Sequence, residues 1–586
     1  MLDPQIAAYR LNEIAALLEV RGENPFKSRA FTQAARTLSE LDEADIAPMV
    51  RSKELAKLPG IGATTLAVLA DLVETGDSSY LETLRETTPE GLVDMMRIPG
   101  LGPTRIHRIH EGLKVESVAE LEAAARDGRL AKLSGFGIKT ADKILKGIAT
   151  MQEKSGQLMH GAAATEAARL QRAVSKLPGV TQVEIAGSLR RSAEVVRDID
   201  LVVVCDDGAD SLAKTAKTVP GVEEVTATHE TITVRLINGV RSDLHCSRAD
   251  TLPIARWRAT GNKEHCERVI DRLRSRGFDI RDDRLVDRTG VPMPDADERT
   301  VYESAGLAWI PLELRENRGD IEAAADDKLP SLIELADLRG ILHCHSKYSD
   351  GSTSIEAMAT AARARGWTYL GISDHSQAAS YAGGMSRDTV LRQHDEIDAL
   401  NARLDGFRVL KGLESDILAN GTLDYDSELL DRFDYVIGSI HSRFGMDREQ
   451  MTERILRAMD DPHLTIIGHP TGRKLLRREP FAVDLDAVMD RAAEAGIALE
   501  LNTDPNRLDL DWRFLPAAVA RGVTIEIGPD AHSPDELGYV DFGMQIARKG
   551  WLEAGNVLNT RTADDVLAFA RTRRSIGTSA GGRRGS

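Results

Sequence analysis

The sequence predicts a multidomain fold: an all-α region, then an α+β region, and last a seven-stranded (β/α) barrel. Three observations lead to this prediction. The chain has 586 residues, which is long for a single domain. Residues 1–150 read as short helices joined by glycine turns. From residue 340 onward, short apolar runs alternate regularly with helical stretches, a pattern typical of a parallel sheet covered by helices.

Composition excludes several classes of protein. The chain is 42% hydrophobic and 28% charged, as in globular proteins. No apolar run approaches the roughly 18–20 residues of a membrane span, and the amino terminus lacks the basic start of a signal peptide, so we expect no membrane association. The cysteines are dispersed without a C-x-x-C pair, which favours a cytoplasmic protein; they are Cys205, Cys246, Cys266 and Cys344.

Three glycine turns divide the helical region: LPGIG (58–62), IPGLGPTR (98–105) and LSGFGIKTA (133–141). Glycine permits the tight turn, and the following helix presents free N–H groups that suit a phosphate oxygen. One such turn could be ordinary helix capping, but three resemble helix-hairpin-helix binders of the DNA backbone. Because the net charge is −17, DNA binding must use local donors and bound cations. The candidate DNA-binding residues are Gly60, Gly62, Gly100, Gly102, Gly135 and Gly137.

The stretch AGSLRRSAEVVRDIDLVVV (186–204) predicts a phosphoryl-transfer site in the α+β region. Gly187 and Ser188 open a helix, so backbone N–H groups, a hydroxyl and Arg191 could bind a triphosphate. Asp198 and Asp200 alternate on one strand and share a face, and Asp243 on a later strand could join them; these are the candidate catalytic residues. Converging carboxylates are costly unless cations lie between them, which indicates a site for two Mg²⁺ or Mn²⁺ ions.

Potential metal ligands lie at or just beyond the ends of the apolar runs in the second half of the chain. They are His343, His345, Asp350, His375, Glu414, His441, His469, Asp530 and His532. So many ligands exceed the needs of one ion, and shared ligands would hold two or three ions of Mn²⁺, Zn²⁺ or Fe. Clustered ions of this kind typically hydrolyse phosphate esters. Arg443, Arg473 and Lys474 follow ligand positions and are either phosphate-binding residues or surface charges.

The barrel region resembles the polymerase-and-histidinol-phosphatase (PHP) metallo-phosphoesterases. The matching stretches are HCHSKYSDG, SDHS, LKGLESDI, IGSIHSRF, IIGHPTGR, LELNTDPNRLDL and PDAHS. Residues 1–320 resemble a family X DNA polymerase through GENPFKSRAFTQAARTL, the three hairpins, GSLRR, DID, SDLHC, TGNKEH and GLAWIPLELREN. Together, nearly the whole chain resembles a bacterial family X DNA polymerase with a C-terminal PHP domain.

This resemblance implies a domain plan and an activity. The implied parts are an N-terminal helical domain (1–80), a fingers-like hairpin region (81–152), a nucleotidyltransferase palm (153–250), a thumb (251–320), a linker (321–334), the PHP barrel (335–575) and a disordered tail (576–586). The implied activity is gap-filling DNA synthesis in base excision repair, with Asp243 helping to activate the primer hydroxyl and Thr260 and Gly261 binding the nucleotide. The barrel would supply a manganese-dependent 3′–5′ exonuclease. We expect a nucleoid-associated monomer whose substrates are gapped or nicked duplex DNA and dNTPs.

The sequence departs from the family pattern around the nucleotide. Arg258 and Ala259 stand where the family has Tyr-Phe, Cys266 stands for an asparagine, and Ile270 stands for an arginine. Val68 occupies the place of the Schiff-base lysine of eukaryotic relatives, so we predict no 5′-deoxyribose-phosphate lyase at that site. These departures predict a weakened or specialised polymerase.

Two alternatives remain open at this point. In the first, the front half is only a DNA-binding module for a barrel nuclease. In the second, the chain is a small-molecule phosphatase fused to an unrelated domain.

Overall fold

The computed structural model describes residues 2–581, except 42, 44, 77, 97, 154–155 and 229–230. The chain divides into two compact units. The first contains Met1–Gln157, Lys176–Pro178 and Ala209–Ser242. The second contains Leu158–Ser175, Gly179–Gly208 and Asp243–Ser586. Within the described ranges, no helix combines the length and the apolar character that crossing a membrane requires.

The amino-terminal part of the first unit is helical. Its helices are α1 (Pro4–Val20), α2 (Pro25–Ser39), α3 (Ala47–Arg51), α4 (Ala63–Thr75), α5 (Ser79–Glu86), α6 (Glu90–Met95), α7 (Pro103–Leu113), α8 (Val118–Arg126), α9 (Arg129–Lys132) and α10 (Ile138–Glu153). The side chains of Asp3 and Asn24 cap α1 and α2, and proline follows each cap. The apolar faces bury two cores, one around Leu11 and Phe31 and the other around Ile106.

The three predicted glycine turns are present, and each connects two helices. The first glycine of each pair adopts a left-handed conformation, with φ of +79° at Gly60, +80° at Gly100 and +82° at Gly135. The apolar residue between the glycines, such as Leu101, is buried and anchors the turn, while the glycines themselves are exposed. The second glycine, as at Gly102, directly precedes the next helix. The turns therefore expose their glycines, while the N–H groups of the apolar residues between them donate to carbonyls within the turn and that of Gly62 donates to Thr65 Oγ1.

The next segment alternates helices and strands. Its elements are β1 (Leu158–Met159), α11 (His160–Val174), β2 (Val180–Ile185), α12 (Gly187–Arg190), β3 (Val195–Val196), β4 (Asp198–Cys205), α13 (Ala209–Ala216), β5 (Val222–Ala227), β6 (Thr231–Leu236) and β7 (Arg241–Ser247). In the second unit, β2 pairs antiparallel with β4, and β7 lies beside β4. In the first unit, β5 and β6 form an antiparallel pair. The predicted strands correspond to β2, β4, β6 and β7.

The region predicted as the thumb has its own core in the second unit. It contains α14 (Leu252–Thr260), α15 (Lys263–Arg276), β8 (Asp279–Arg281), β9 (Arg284–Val286), α16 (Glu298–Ser304) and α17 (Asp320–Ala325). Trp257 is buried and donates its indole N–H to the hydroxyl of Tyr302 at 3.2 Å. Arg315 is also buried; it lies over the Tyr302 and Trp309 rings and pairs with Glu298 at 2.9 Å. This buried ion pair joins α16 to the segment that leads to the barrel.

The predicted seven-stranded barrel is confirmed. Its parallel strands follow chain order: β10 (Gly340–Ile341), β11 (Tyr369–Ile372), β12 (Arg408–Asp416), β13 (Tyr435–Ser439), β14 (Leu464–Ile467), β15 (Ala498–Asn502) and β16 (Ile525–Gly528). Between and after the strands lie α18 (Ile355–Ala364), α19 (Arg387–Asn401), α20 (Ser427–Leu430), α21 (Arg448–Ala458), α22 (Leu485–Ala495), α23 (Leu515–Ala520), α24 (Tyr539–Lys549) and α25 (Ala563–Gly581). A parallel bridge between Cys344 and Ala531 joins the ends of the sheet and nearly closes it.

The predicted linker and tail carry structure where they are described. Ile321 and Ala324 in α17 belong to the thumb core, and Ile333 belongs to the barrel core, so residues 321–334 pack at both ends. Helix α25 extends to Gly581, and residues 582–586 of the predicted tail lie outside the described residues. The boundaries of the domain plan remain predictions.

Candidate active sites

The carboxyl end of the barrel gathers the predicted metal ligands. Three groups have ligand atoms within 4.8 Å of one another. They consist of His345, Asp350, His375 and His532, of His343, His345 and Asp530, and of His375, Glu414 and His441. Two histidines are each shared by two groups, as the prediction of shared ligands requires.

Glu414 lies at the centre of this cluster. Its carboxylate oxygens are 2.8 Å from His375 Nδ1, 3.3 Å from His441 Nε2 and 3.5 Å from His343 Nε2. The remaining predicted ligand, His469, has its Nε2 3.2 Å from Glu414 Oε1. One buried carboxylate therefore contacts imidazoles from several strand ends.

The cluster contains buried polar atoms that have no hydrogen-bond partner and could coordinate metal ions. Both Glu414 oxygens, His343 Nε2, His345 Nδ1 and both ring nitrogens of His469 are buried without a hydrogen-bond partner. Leaving such atoms unpaired in a protein interior is costly. A set of imidazoles and carboxylates is what Zn²⁺, Mn²⁺ or Fe takes as ligands, so the residues present fit such ions.

The electrostatics of the cluster favour the protonation state of a metal ligand at three of its members, whereas neighbouring carboxylates raise the pKa of His343 and His375 and bring those of His441 and His532 to about 9. Burial alone would raise the pKa of Glu414, but the surrounding histidines hold it well below its ordinary value. Burial lowers the pKa of His345 to about 4 and that of His469 to about 3. An ionised carboxylate and neutral imidazoles are the forms that coordinate a metal.

Two further carboxylates orient the ligands. Glu500 Oε1 is 2.6 Å from His343 Nδ1, and Asp416 Oδ1 is 2.6 Å from His441 Nδ1. With Nδ1 occupied, Nε2 of each imidazole is the atom directed into the cluster. Sequence reasoning missed both residues. The available signals were a charged residue in the apolar run ALELN and the two-residue spacing of Asp416 from Glu414 on β12.

A cavity of 310 Å³ opens onto the cluster and contains cationic side chains. Lys474 lines it, together with Tyr381 and Arg507. Arg507 was missed by the sequence analysis; its Nε is buried without a hydrogen-bond partner, 3.5 Å from Asp530 Oδ2.

Arg443 and Arg473, which also follow ligand positions, have different surroundings from Lys474. Arg473 is neither a phosphate ligand nor a surface charge, because it is buried, pairs with Asp511 and donates to the carbonyl of Arg507 at 3.0 Å. Arg443 is exposed, and its backbone φ is 57°.

The predicted polymerase aspartates lie on two neighbouring strands. Asp198 and Asp200 are on β4, and Asp243 is on β7 beside it. Asp200 Oδ1 is 2.9 Å from His245 Nε2. Three carboxylates are suitable ligands for Mg²⁺ or Mn²⁺. Across the part of the chain that the structure describes, however, the groups with ligand atoms within 4.8 Å all lie in the barrel, so the aspartates are adjacent but not drawn together.

The predicted triphosphate-binding residues surround Asp200. Gly187 has a φ of +65°, and a Cβ there would lie 1.9 Å from Asp200 Oδ2, so only glycine fits. Gly187 and Ser188 begin α12, and Arg191 follows its end. Arg191 donates to the carbonyl of Thr260, and Arg190 donates to its hydroxyl at 2.7 Å. The GSLRR segment and Thr260-Gly261 therefore meet in one place.

The residues that depart from the family pattern have other partners. Arg258 is half-exposed and pairs with Asp283 at 3.0 Å. Cys266 is buried so close to Gly261 that a Cβ on that glycine would lie 2.4 Å from the sulfur. Ile270 packs against the thumb core. Val68 is 3% exposed and belongs to the core of the first unit, so this position offers no nucleophile.

Comparisons with known proteins cover nearly the whole chain. Family matches are a helix-hairpin-helix domain (4–78), a SAM-like helix-hairpin-helix tandem (92–150), the DNA polymerase beta thumb (255–316) and the PHP domain (342–504). A relative from Bacillus subtilis (strain 168), named DNA polymerase/3′-5′ exonuclease PolX, is 36% identical over 96% of this chain and 98% of its own. A probable phosphatase from Thermoanaerobacter sp. (strain X514) is 28% identical over 31% of this chain and 76% of its own.

Proposed function

Since the chain belongs to the bacterial family X DNA polymerases with a C-terminal PHP domain, we propose that it is a DNA repair enzyme with two active sites. One fills gaps in duplex DNA from dNTPs, and the other removes nucleotides from 3′ ends. The observation that carries the second activity is the ligand cluster around Glu414, with its buried unpaired atoms. We further propose that the protein acts as a monomer on nucleoid DNA in the cytoplasm.

The polymerase site is proposed to use the residues around Asp200. Asp198, Asp200 and Asp243 would hold Mg²⁺ or Mn²⁺, which supplies charge neutralisation for phosphoryl transfer when bound. Backbone N–H groups at Gly187 and Ser188, together with Arg191, would bind the triphosphate, because an anion is stabilised at a helix start and by a guanidinium. Asp243 would accept the proton of the primer hydroxyl. Thr260 and Gly261 would border the nucleotide.

We propose that this polymerase is weakened or specialised. Arg258 pairs with Asp283 instead of offering an aromatic ring, and Cys266 and Ile270 are packed into the thumb. The side chains of Cys266 and Ile270 cannot make the hydrogen bonds to base and template that asparagine and arginine would make at these positions. Synthesis would therefore be slow and less selective for the sugar.

The exonuclease is proposed to work in the cavity above the barrel. The ligand cluster would hold two or three Mn²⁺, Zn²⁺ or Fe ions, which supply a hydroxide-generating Lewis acid when bound. Lys474 and Arg507 line the same cavity and would hold the phosphates of the 3′ end. The glycine turns of the first unit would bind the DNA backbone, because their exposed glycines let a phosphate approach the start of the following helix.

One gel experiment tests both activities. A 5′-labelled gapped duplex is incubated with Mn²⁺ and dNTPs, using wild type, Asp200→Ala and His343→Ala. We expect wild type to extend and shorten the primer, Asp200→Ala to lose only extension, and His343→Ala to lose only shortening. The two variants serve as matched controls for each other.

Two other results would favour the competing functions. If wild type only shortens the primer and Asp200→Ala changes nothing, the front half is a DNA-binding module; the packing of Cys266 and Ile270 favours this candidate. If hydrolysis is confined to free phosphate monoesters, the small-molecule phosphatase hypothesis is correct.

A further inference from the structure

The end of the GSLRRS segment is held by the barrel. Lys549, the last residue of α24, donates to the backbone carbonyl of Arg191 at 2.9 Å. Ser192, the next residue, donates its hydroxyl to Gln545 Oε1 on the same helix at 2.7 Å. Arg191 of the proposed nucleotide site and the residue that follows it are therefore both bonded to one barrel helix.

A carboxylate links Lys549 to the side chain of Arg191 as well. Glu316 Oε1 accepts from Arg191 Nε at 3.1 Å, and the same oxygen accepts from Lys549 Nζ. Burial alone would raise the pKa of Glu316, but Lys549 and Arg191 hold it below its ordinary value. The carboxylate is therefore ionised and bonded to both cations at once.

Lys549 is placed unusually for a lysine. Its side chain is 1% exposed, and its ammonium lies 5.0 Å from the centre of the Trp512 ring. A buried lysine carries a large desolvation cost, and apolar residues commonly pack such an interface equally well. Lys549 contacts the backbone of Arg191 directly and the guanidinium of Arg191 through Glu316. This convergence on Arg191 points to a role beyond packing.

We propose that Lys549 of the barrel is a positioning residue for DNA synthesis: through Glu316 and the Arg191 carbonyl, it holds the Arg191 guanidinium ready for the dNTP triphosphate. This inference rests on the proposed nucleotide-binding role of Arg191. Two nitrogens of the guanidinium bond to Glu316 and Thr260, and the third donates to the triphosphate. The barrel then contributes to the polymerase reaction as well as to its own chemistry.

The test is a paired double substitution. Lys549→Met with Glu316→Gln removes the ion pair at nearly constant volume, and Arg191, which also loses its carboxylate partner, keeps the new amide oxygen and the Thr260 carbonyl as acceptors. The matched control is Arg548→Met with Glu313→Gln, which removes the adjacent 2.7 Å ion pair between the same helix and the same thumb segment. Thermal melting checks that both variants are folded.

The readouts are KM and kcat for dNTP in single-nucleotide gap filling, and dNTP affinity on a dideoxy-terminated primer, where no bond can form. We expect the Lys549 variant to raise KM and the dNTP Kd by about tenfold with a smaller change in kcat, because Arg191 binds the triphosphate throughout the reaction. The control variant and the 3′–5′ exonuclease rate should stay within about twofold of wild type. Lys549→Met alone should raise KM at least as much, since Glu316 then has Arg191 as its remaining cation and competes with the triphosphate for that guanidinium.

Two outcomes overturn the inference. Equal KM values for the two double variants would make Lys549 an ordinary interface residue. An unchanged KM in Arg191→Ala would remove the premise that this guanidinium binds the triphosphate. A wild type without nucleotide incorporation would instead overturn the proposed polymerase function, and this inference with it.

Discussion

At the scale of single residues, the barrel site depends on side chains that do not touch a metal. Glu500 is completely buried and accepts a hydrogen bond from His343 and another from the backbone N–H of His469. Both partners are predicted ligands, so Glu500 orients the imidazole of His343 and holds the backbone of His469. Carboxylates in this position raise the basicity of the ligand and fix its tautomer.

Replacing this carboxylate should therefore weaken the exonuclease selectively. We expect Glu500→Gln to lower metal affinity and exonuclease rate by about 10- to 100-fold and to leave gap filling unchanged. Isothermal titration with Mn²⁺ and the primer-shortening assay would measure the two effects. Glu526→Gln is the control, because that buried carboxylate accepts from Asn559 and contacts no predicted ligand by a hydrogen bond. Equal losses in both variants would contradict the orienting role.

The nucleotide pocket allows a second prediction from single residues. Arg258 points to Asp283, so no aromatic ring borders the sugar of the proposed nucleotide. We expect wild type to discriminate weakly between dNTPs and rNTPs. Arg258→Tyr with Ala259→Phe should raise the ratio of kcat/KM for dGTP over GTP by about tenfold. Asp283→Asn weakens the ion pair without adding a ring, so this variant should leave the ratio unchanged. An increase in the ratio with Asp283→Asn would assign the selectivity to the ion pair instead.

At the scale of elements, the two glycines of each turn have different roles. The first is required for folding, and the second is available for DNA binding. Gly60, Gly100 and Gly135 have positive φ, so any other residue there strains the turn itself. Gly62, Gly102 and Gly137 have ordinary backbone conformations and open space where a Cβ would stand. The second glycine of each pair is therefore not required by the fold at that position.

This distinction gives a test of DNA binding that does not disturb folding. We expect Gly102→Val to keep the wild-type melting temperature within about 2 °C and to lower affinity for gapped DNA by roughly 3- to 10-fold, because the side chain blocks close approach of a phosphate. Fluorescence anisotropy at fixed salt would measure this. Gly555→Val is the matched control: it is also exposed with open space around it, but it lies in the barrel. Unchanged affinity in Gly102→Val would assign the turns to helix capping alone.

At the scale of the whole molecule, the barrel was the part most accessible from sequence. The sequence predicts strand ends near residues 343, 373, 413, 440, 468, 502 and 528, and the strands end at 341, 372, 416, 439, 467, 502 and 528. Strands buried on both faces read as continuous apolar runs, and polar ligands mark their ends. The predicted ligands converge for the same reason, since the carboxyl ends of a parallel barrel face one side.

Contacts between segments distant in sequence were not accessible. Glu500, Asp416 and Arg507 act on ligands that come from other strands, and Lys549 meets Arg191 across 358 residues. Nothing in the local pattern around these residues specifies such partners. Arg473 failed as a phosphate ligand for the same reason, because its partners Arg507 and Asp511 come from a later loop. Periodicity predicts elements and faces, whereas these pairings follow from the packing of the whole domain.

Removing the metal ions should lower the stability of the whole barrel as well as abolish its exonuclease activity. Without ions, Glu414 and its neighbouring imidazoles are buried with unpaired polar atoms, so a bound ion stabilises the folded state relative to the unfolded chain. We expect saturating Mn²⁺, at about 100 times its Kd, to stabilise the fold by about 2.7 kcal/mol and to raise the melting temperature of chelator-treated protein. Differential scanning calorimetry with and without Mn²⁺ would show the shift. Glu414→Gln should abolish it, whereas Asp200→Ala, which removes a carboxylate outside the barrel, should retain it. A shift that survives in Glu414→Gln would mean that the stabilising ion binds elsewhere.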